Sequence, residues 1–336
     1  MEMVKAKGTD NPLVSVIIPV YNVMPYIVQC LDSVQKQTYE KLEIILINDG
    51  SNDGSETFCN EIKKLDPRIV VIHKENGGVV SARNAGIRFA HGKYIVFVDG
   101  DDWIESDMIE EMVRRIGDAD LLSIGVYQEQ APECIIERID RFSQGKYTGA
   151  QELTYLYERM IYDQETGCLQ PMTPWIYNKL YVASMVKDVH EKVSQDLVFA
   201  EDSVFLYLYM LECKSIVICD KCFYHYRYRE GSAIHRINEH MLMDINRVYL
   251  ALLDIFRAHP MGKALLPQLQ QWVTTRTCLA INEAMGFDSR IHIPEFVVDM
   301  RALENKNIVL YGAGKVGQDA WKQIKEFGYS VFLWVD

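Results

Sequence analysis

Val14-Ser15-Val16-Ile17-Ile18-Pro19-Val20 decides how the rest of the chain is read. The run is mostly β-branched, carries no charge and is too short for an ordinary helix. It is also too uniformly apolar for a strand with one wet face, so it belongs to a strand buried on both sides. Pro25 opens a helix behind it, with Ile27, Cys30, Leu31 and Val34 on one stripe. The alternation then repeats. A strand over Leu42 to Ile47 stops at Asn48-Asp49-Gly50-Ser51, and Phe58, Ile62 and Leu65 mark a second helix. A third strand covers about Ile69 to Ile72, followed by the turn Asn76-Gly77-Gly78, a helix from about Ser81 to His91 closed by Gly92, and a fourth strand Tyr94 to Val98. This order predicts an α/β fold around a Rossmann-like, mostly parallel sheet.

Beyond it, a strand around Leu121 to Val126 closes the first half, and polar Tyr127 to Pro132 breaks the pattern. Helical spacing over Gln151 to Ile161 and Asp202 to Leu211 alternates with strand-like Ser215 to Cys219 and Phe223 to Tyr228. From Asn238 to about Gly286 the spacing is helical, and Leu242, Ile245, Val248, Leu252 and Ile255 share a face. Asn307 to Tyr311 and Ser330 to Val335 are strand-like and flank Gly312-x-Gly314-x-x-Gly317. There are no internal repeats.

With 336 residues, 49% of them apolar, the chain is long enough for a sizeable core, and no apolar run is long enough to span a bilayer. Met1 to Asp10 lacks the apolar centre of a secretion signal, so a cytoplasmic protein is expected. Eight cysteines then read as core thiols; the pair Cys219 and Cys222 lacks the further ligands a zinc site needs. A net charge of −12 disfavours nucleic acid and anionic membrane as principal partners. An anionic substrate must therefore be held by local cations or a metal.

Ligands of open parallel sheets bind beyond the carboxyl ends of the strands. Those ends are acidic here, with Asp49 after the second strand and Asp99, Asp101 and Asp102 after the fourth. Crowded carboxylates are sustained by a bound cation, by hydrogen-bonded ligand groups or by raised pKa values. Mg²⁺ or Mn²⁺, which takes one or two carboxylates and completes its shell with water and phosphate oxygens, suits the Asp99-Gly100-Asp101 turn. Gly100 would let a ligand approach closely. The plainer alternative is a solvated turn ahead of a helix near Ser106. Asp49 to Asn60 also has the polar spacing of a calcium loop, but its twelfth position is Asn60 rather than Glu.

Five elements in order resemble the inverting glycosyltransferases of family 2 with the GT-A fold: Val16-Ile17-Ile18-Pro19-Val20-Tyr21-Asn22, Asn48-Asp49-Gly50-Ser51-Asn52-Asp53-Gly54-Ser55, Ser81-Ala82-Arg83-Asn84-Ala85-Gly86, Val98-Asp99-Gly100-Asp101-Asp102-Trp103, and Glu201-Asp202. The resemblance runs to about Ser232. It implies a nucleotide-sugar donor, commonly UDP-linked, and Mn²⁺ or Mg²⁺ as cofactor. Pro19, Tyr21, Asn22 and Asp49 would hold the base, Arg83 would lie near the donor, and Asp99 with Gly100 would meet the ribose or metal. Asp101 would ligate the metal and Asp202 would be the general base, with Glu201 beside it. Asn48 departs from the second Asp of many relatives. An inverting transfer needs one carboxylate to take the acceptor's proton. The alternative for Glu201 and Asp202 is a favourable charge at a helix N-terminus.

Trp175 and Lys179 fall in a segment resembling one near the acceptor in this family, with core packing as the alternative. His225 and Arg227 could answer the need for positive charge at the diphosphate, or belong to an ordinary strand. Five regions are expected: a disordered N-terminus (1–10), a nucleotide-binding half (11–130), an acceptor-side half (131–235), a helical extension (236–300) and the start of a truncated Rossmann-like module (301–336). The acceptor would be a saccharide or lipid-linked saccharide in cell-surface polysaccharide synthesis, with peripheral contact at the inner face of the membrane. Rival classes are an NAD(P)-linked oxidoreductase built on Gly312 to Gly317, a silent sugar-nucleotide-binding relative, and a sugar nucleotidyltransferase. The last lacks its Gly- and Arg-bearing N-terminal loop, since Val14 to Asn22 holds neither residue.

Overall fold

The computed structural model of the chain describes residues 11–131, 134–228, 240–284, 308–311 and 331–335. Segment 1–10, the motif Gly312 to Gly317 and Asp336 lie outside them. Two compact units are distinguished, residues 1–236 with 246–269 and residues 237–245 with 270–336.

The first unit opens as its apolar runs dictate. β1 (Val14–Val20) has Val16, Ile17 and Ile18 fully buried. Each such side chain contributes about 1.5–3 kcal/mol relative to exposure. α1 (Met24–Gln35) follows, with Pro25 in its first turn and Ile27, Cys30, Leu31 and Val34 turned inward. β2 (Leu42–Asp49), α2 (Ser55–Leu65), β3 (Ile69–Lys74), α3 (Gly78–Phe89) and β4 (Tyr94–Phe97) repeat the unit. The four strands pair in parallel in the order β3-β2-β1-β4.

β2 and β3 extend beyond their expected ends, and their register sets Asp49 beside Lys74. α3 starts before Ser81 for a related reason. The first N–H groups of a helix have no partner within it. Those of Gly77 and Gly78 donate to the Asp49 carboxylate at 3.1 and 2.9 Å, so the end of β2 caps α3. Gly86 lets α3 close on the sheet: a Cβ there would stand 2.7 Å from Ile17 Cγ2 and 2.8 Å from Ile47 Cδ1.

Further along come β5 (Trp103–Ile104), α4 (Met108–Ile116), β6 (Leu121–Ala131), β7 (Cys134–Arg138), β8 (Gly145–Thr148), α5 (Gly149–Tyr157), β9 (Tyr162–Asp163), β10 (Cys168–Leu169), β11 (Lys179–Val182), α6 (Ala183–His190), α7 (Glu201–Glu212) and β12 (Ser215–Arg227). The sheet continues from β4 through β11, β6 and β12 to β5, with β7 on β6 and β8 on β12. β11 is antiparallel to both neighbours and β12 is parallel to β6.

Two expectations are corrected here. Tyr127 to Ala131 continues β6 instead of breaking it, because Tyr127 and Glu129 pair with His225 and Arg227 of β12 on one side and with β7 on the other. Ser215–Arg227 is one strand rather than two; register shifts at Cys222 accommodate exposed Asp220 and Lys221. Cys219 and Cys222 flank the irregularity as buried free thiols.

α8 (Met241–Ala258) and α9 (Gly262–Ala284) divide the expected helical stretch at Pro260, which favours extended backbone in the residue before it. Within the first unit, buried Gln268 of α9 accepts from Ile161 N and Tyr162 N at 3.0 and 3.2 Å and donates to Tyr157 O at 2.8 Å. In the second unit β13 (Ile308–Tyr311) pairs in parallel with β14 (Val331–Val335). No helix among the described residues is long and apolar enough to cross a membrane.

Candidate active site

The strand-end loops after β1 and β2 are knitted together. Asn22, in the left-handed region at φ 51°, accepts from Asn52 N through Oδ1 at 2.9 Å, and its own N–H donates to Ser51 Oγ at 3.2 Å. Asp53 accepts from Met24 N at 2.8 Å and Ser55 N at 3.0 Å. With Ser55 to Asn60 inside α2, this segment is no calcium loop. Tyr21 projects outward, 52% exposed.

Asp49 is buried. Its carboxylate accepts from Lys74 Nζ and from Gly77 N and Gly78 N. Lys74, unremarked in the sequence, thus sits against the expected base-binding group.

The Asp99-Gly100-Asp101 turn follows β4. A Cβ on Gly100 would lie 2.9 Å from Pro19 O and 3.2 Å from Val23 Cγ2. The glycine therefore permits close packing against the β1 loop. Behind the turn, Asp99 N–H donates to Tyr224 Oη at 3.0 Å, and that hydroxyl donates to Asp102 Oδ2 at 2.7 Å. Asp102 Oδ1 accepts from Arg227 N at 2.8 Å. Burial, then Asp101 and Asp99, push the Asp102 pKa upward. Asp102, one of the acids marked at this strand end in the sequence, and Tyr224, which was not, lock the turn.

Arg83 gathers the remaining acids. Its guanidinium donates to Asp202 Oδ1 at 2.5 Å, Glu201 Oε1 at 3.3 Å and Asp99 Oδ1 at 3.1 Å. The Arg83 side chain is 4% exposed. α3, the end of β4 and the start of α7 thereby converge on one cation. Ala200 precedes α7 at φ 51°, a conformation uncommon for a residue bearing a Cβ. Burial raises the Asp202 pKa, Arg83 opposes it, and Glu201 adds to it. Behind Arg83, burial and that guanidinium drive the His190 pKa down to about 4, so the imidazole stays neutral.

One guanidinium facing three carboxylates leaves the rim strongly negative before Asp101 is added. Hard oxygen donors in surplus suit Mg²⁺ or Mn²⁺. Among the described residues no group of three or more His, Cys, Asp or Glu is arranged to hold an ion. A cation held by Asp99 and Asp101 alone would have to complete its shell with water and substrate oxygens.

The other expected residues divide. Half-buried Trp175 stacks on Tyr177 with centroids 5.7 Å apart, and Tyr177 stacks on Tyr224 at 4.3 Å, so the aromatic segment reaches the residue that locks Asp99. Ile176 N donates to Asp202 Oδ2 at 3.5 Å. Lys179 is not at the rim. It is fully buried, its ammonium donating to Thr173 O, Thr173 Oγ1 and Asn178 Oδ1 at 2.9, 3.1 and 2.8 Å, and burial lowers its pKa to about 8. His225 stacks on Trp103 and lies within 2.7 and 2.9 Å of Glu129 and Glu105. Arg227 donates to Asp101 O at 2.9 Å and lies over the Trp103 ring. Both flank the Asp99-Gly100-Asp101 turn, outside the Arg83 cluster.

A sheet of this order, with its acids at the carboxyl ends, defines the GT-A form of the α/β fold. Residues 15–174 match the family model for glycosyl transferase family 2. The chain is 32% identical over 234 residues to glycosyltransferase GlyG of Streptococcus pneumoniae, covering 66% of this chain and 73% of GlyG. It is 30% identical over 295 residues to glycosyltransferase GlyA of the same species, covering 86% of this chain. The chain spans only 41% of GlyA's length. A solved structure of S. aureus TarS 1–349 in complex with UDP-GlcNAc has a TM-score of 0.60 at 20% identity, covering 87% of this chain and 79% of that one. The chain belongs to glycosyl transferase family 2.

Proposed function

We propose that the chain is a metal-dependent inverting glycosyltransferase. It moves a sugar from a UDP-linked donor to a hydroxyl of a saccharide or lipid-linked saccharide, in cell-surface polysaccharide synthesis at the inner face of the membrane. The observation that carries this reading is the Arg83 fork, which ties donor-side Asp99 to Asp202 across three elements. The similarity to a fold solved with UDP-GlcNAc supports the choice of UDP.

In this reading Asp49 and the backbone from Pro19 to Asn22 take the base, and Asp99 orients the ribose. Asp99 and Asp101 would hold Mn²⁺ or Mg²⁺, which when bound neutralises charge on the departing diphosphate. Asp202 accepts the acceptor's hydroxyl proton as that oxygen attacks the anomeric carbon opposite the diphosphate. Arg83 aims Asp202 and favours its ionised form, while Trp175 offers the acceptor ring an apolar face.

The test is Asp202→Asn. Transfer of radiolabelled sugar from UDP-sugar to saccharide acceptors should fall by about 10²–10⁴-fold, while UDP affinity by calorimetry stays within about threefold of the unaltered protein. Retained turnover in the variant would remove Asp202 from the base role.

A further inference from the structure

Thr173-Pro174-Trp175-Ile176-Tyr177-Asn178 has no helix or strand of its own, and β11 begins only at Lys179. It nevertheless carries Trp175 and the Ile176 N–H that meets Asp202 Oδ2 at 3.5 Å. Backbone outside a helix or ladder must find its hydrogen bonds elsewhere. Here three buried side chains converge on Thr173. Asp140 Oδ1 accepts from Thr173 N and Thr173 Oγ1, both at 2.7 Å. Lys179 Nζ donates to Thr173 O at 2.9 Å and to Thr173 Oγ1 at 3.1 Å. Asn178 Nδ2 donates to the same hydroxyl at 2.9 Å and to Ile124 O of β6 at 2.6 Å. A threonine hydroxyl has one proton and two lone pairs. Lys179 and Asn178 occupy both lone pairs and the proton goes to Asp140, so the hydroxyl is saturated and bridges an ammonium to a carboxylate. None of Asp140, Thr173, Asn178 and Lys179 is more than 6% exposed.

Taking an ammonium and a carboxylate out of water is costly, and apolar residues of similar volume often serve a core as well or better. What a fully bonded polar network adds is direction, because it specifies one arrangement. Asp140 Oδ2 has no hydrogen-bond partner among the described residues, so the bonds of this carboxylate all go to Thr173. We infer that Thr173, clamped by Asp140 and Lys179, is a positioning residue that sets Trp175 and the Ile176 N–H on the acceptor side of the site. The inference rests on the proposed roles of Trp175 and Asp202. Thr173 fixes the start of the segment, Tyr181 Oη fixes its middle by donating to Ile176 O at 3.1 Å, and Asn178 fixes its end on Ile124. The donor side is held by other bonds, those of Asp49 to α3 and of Asp99 to Tyr224. Releasing Thr173 therefore loosens the acceptor side and leaves the nucleotide side in place.

The experiment compares the full chain with Thr173→Val, which keeps the shape and loses the hydroxyl, and Thr173→Ser, which keeps the hydroxyl. The saccharide acceptor is varied at saturating UDP-sugar and Mn²⁺, UDP affinity is measured by calorimetry, and active sites are counted by UDP stoichiometry so that unfolded protein does not enter the rates. Misplacing reacting groups by about 1 Å costs up to about 10²-fold. In Thr173→Val, kcat/KM for the acceptor should fall at least about tenfold, with KM for the acceptor raised and UDP affinity within about threefold of the unaltered protein. Thr173→Ser should stay within about threefold in every constant. Asp140→Asn combined with Lys179→Met removes both charges at once and should show the same acceptor defect at least several-fold, which keeps the inference testable if Thr173→Val does not fold. Variants that melt lower yet keep acceptor kcat/KM per UDP-binding site would overturn the inference and leave the network a matter of stability. A Thr173→Ser protein as impaired as Thr173→Val, or UDP affinity lost in step with transfer, would overturn it too. If the unaltered protein transfers no sugar, the proposed function fails and takes the inference with it.

Discussion

Arg83 holds three carboxylates on one charge, and the consequence is clearest at Asp202. A general base must be ionised, yet burial disfavours the ionised form. Burial therefore lifts the Asp202 pKa above the usual value of about 4, even with the guanidinium opposing it. Proton loss is completed only as pH rises through that lifted value. On the acid side kcat/KM should then fall by about tenfold per pH unit, from a limb lying above the ordinary carboxylate range. Arg83→Gln removes the group that favours the carboxylate, so the limb should move to higher pH as well as lower the plateau. A pH–rate profile of both proteins checks this, with melting temperature followed alongside because breaking a buried ion pair costs about 3 kcal/mol or more. A limb that stays in place in Arg83→Gln would mean that Arg83 does not set the base.

Among the elements, α3 binds sequence, packing and site together most directly. It seats Arg83 through a tight contact at Gly86, where any side chain would drive into Ile17 of β1 and Ile47 of β2. Gly86→Val should destabilise the fold by about 1–3 kcal/mol, the usual cost of overpacking, and shift Arg83 from Asp202. A urea midpoint lowered together with activity per folded molecule checks it; full activity in the folded fraction would show that the contact serves stability alone. The helix itself was legible between the Asn76-Gly77-Gly78 turn and the closing Gly92, as were the four parallel strands from their apolar runs. Its start was not, because its cap is Asp49, far away in sequence and brought close only by the sheet. β12 was misread as two strands for a similar reason. The Asp220-Lys221 irregularity looks like a turn locally, and only pairing with β6 and β8 holds the strand together. β11 is four residues long and antiparallel to both neighbours, too short to carry a periodic signal. Lys179 could not be placed either: a lysine at a strand start reads as exposed unless its polar partners, Thr173 and Asn178, are already known to surround it.

At the scale of the whole molecule the charge is −12, and the sheet concentrates part of that excess at one rim, with Asp99, Asp101, Glu201 and Asp202 on neighbouring elements. A nucleoside diphosphate brings further negative charge to the same place. It should therefore bind weakly unless a divalent cation accompanies it, and each ligand should strengthen the other by the same factor. Saturating Mn²⁺ should raise UDP affinity at least tenfold over binding in EDTA, and UDP should raise Mn²⁺ affinity equally. In thermal melts, each ligand at about 100 times its Kd stabilises by about 2.7 kcal/mol. At a fixed low UDP concentration, the Tm shift should thus appear with Mn²⁺ and shrink sharply in EDTA. Asp101→Ala removes a carboxylate that would face the ion while leaving the Arg83 cluster in place, so it should abolish the coupling and spare the fold. A UDP shift indifferent to both EDTA and Asp101→Ala would mean that the rim manages its charge without a metal, through Arg83 and a retained proton.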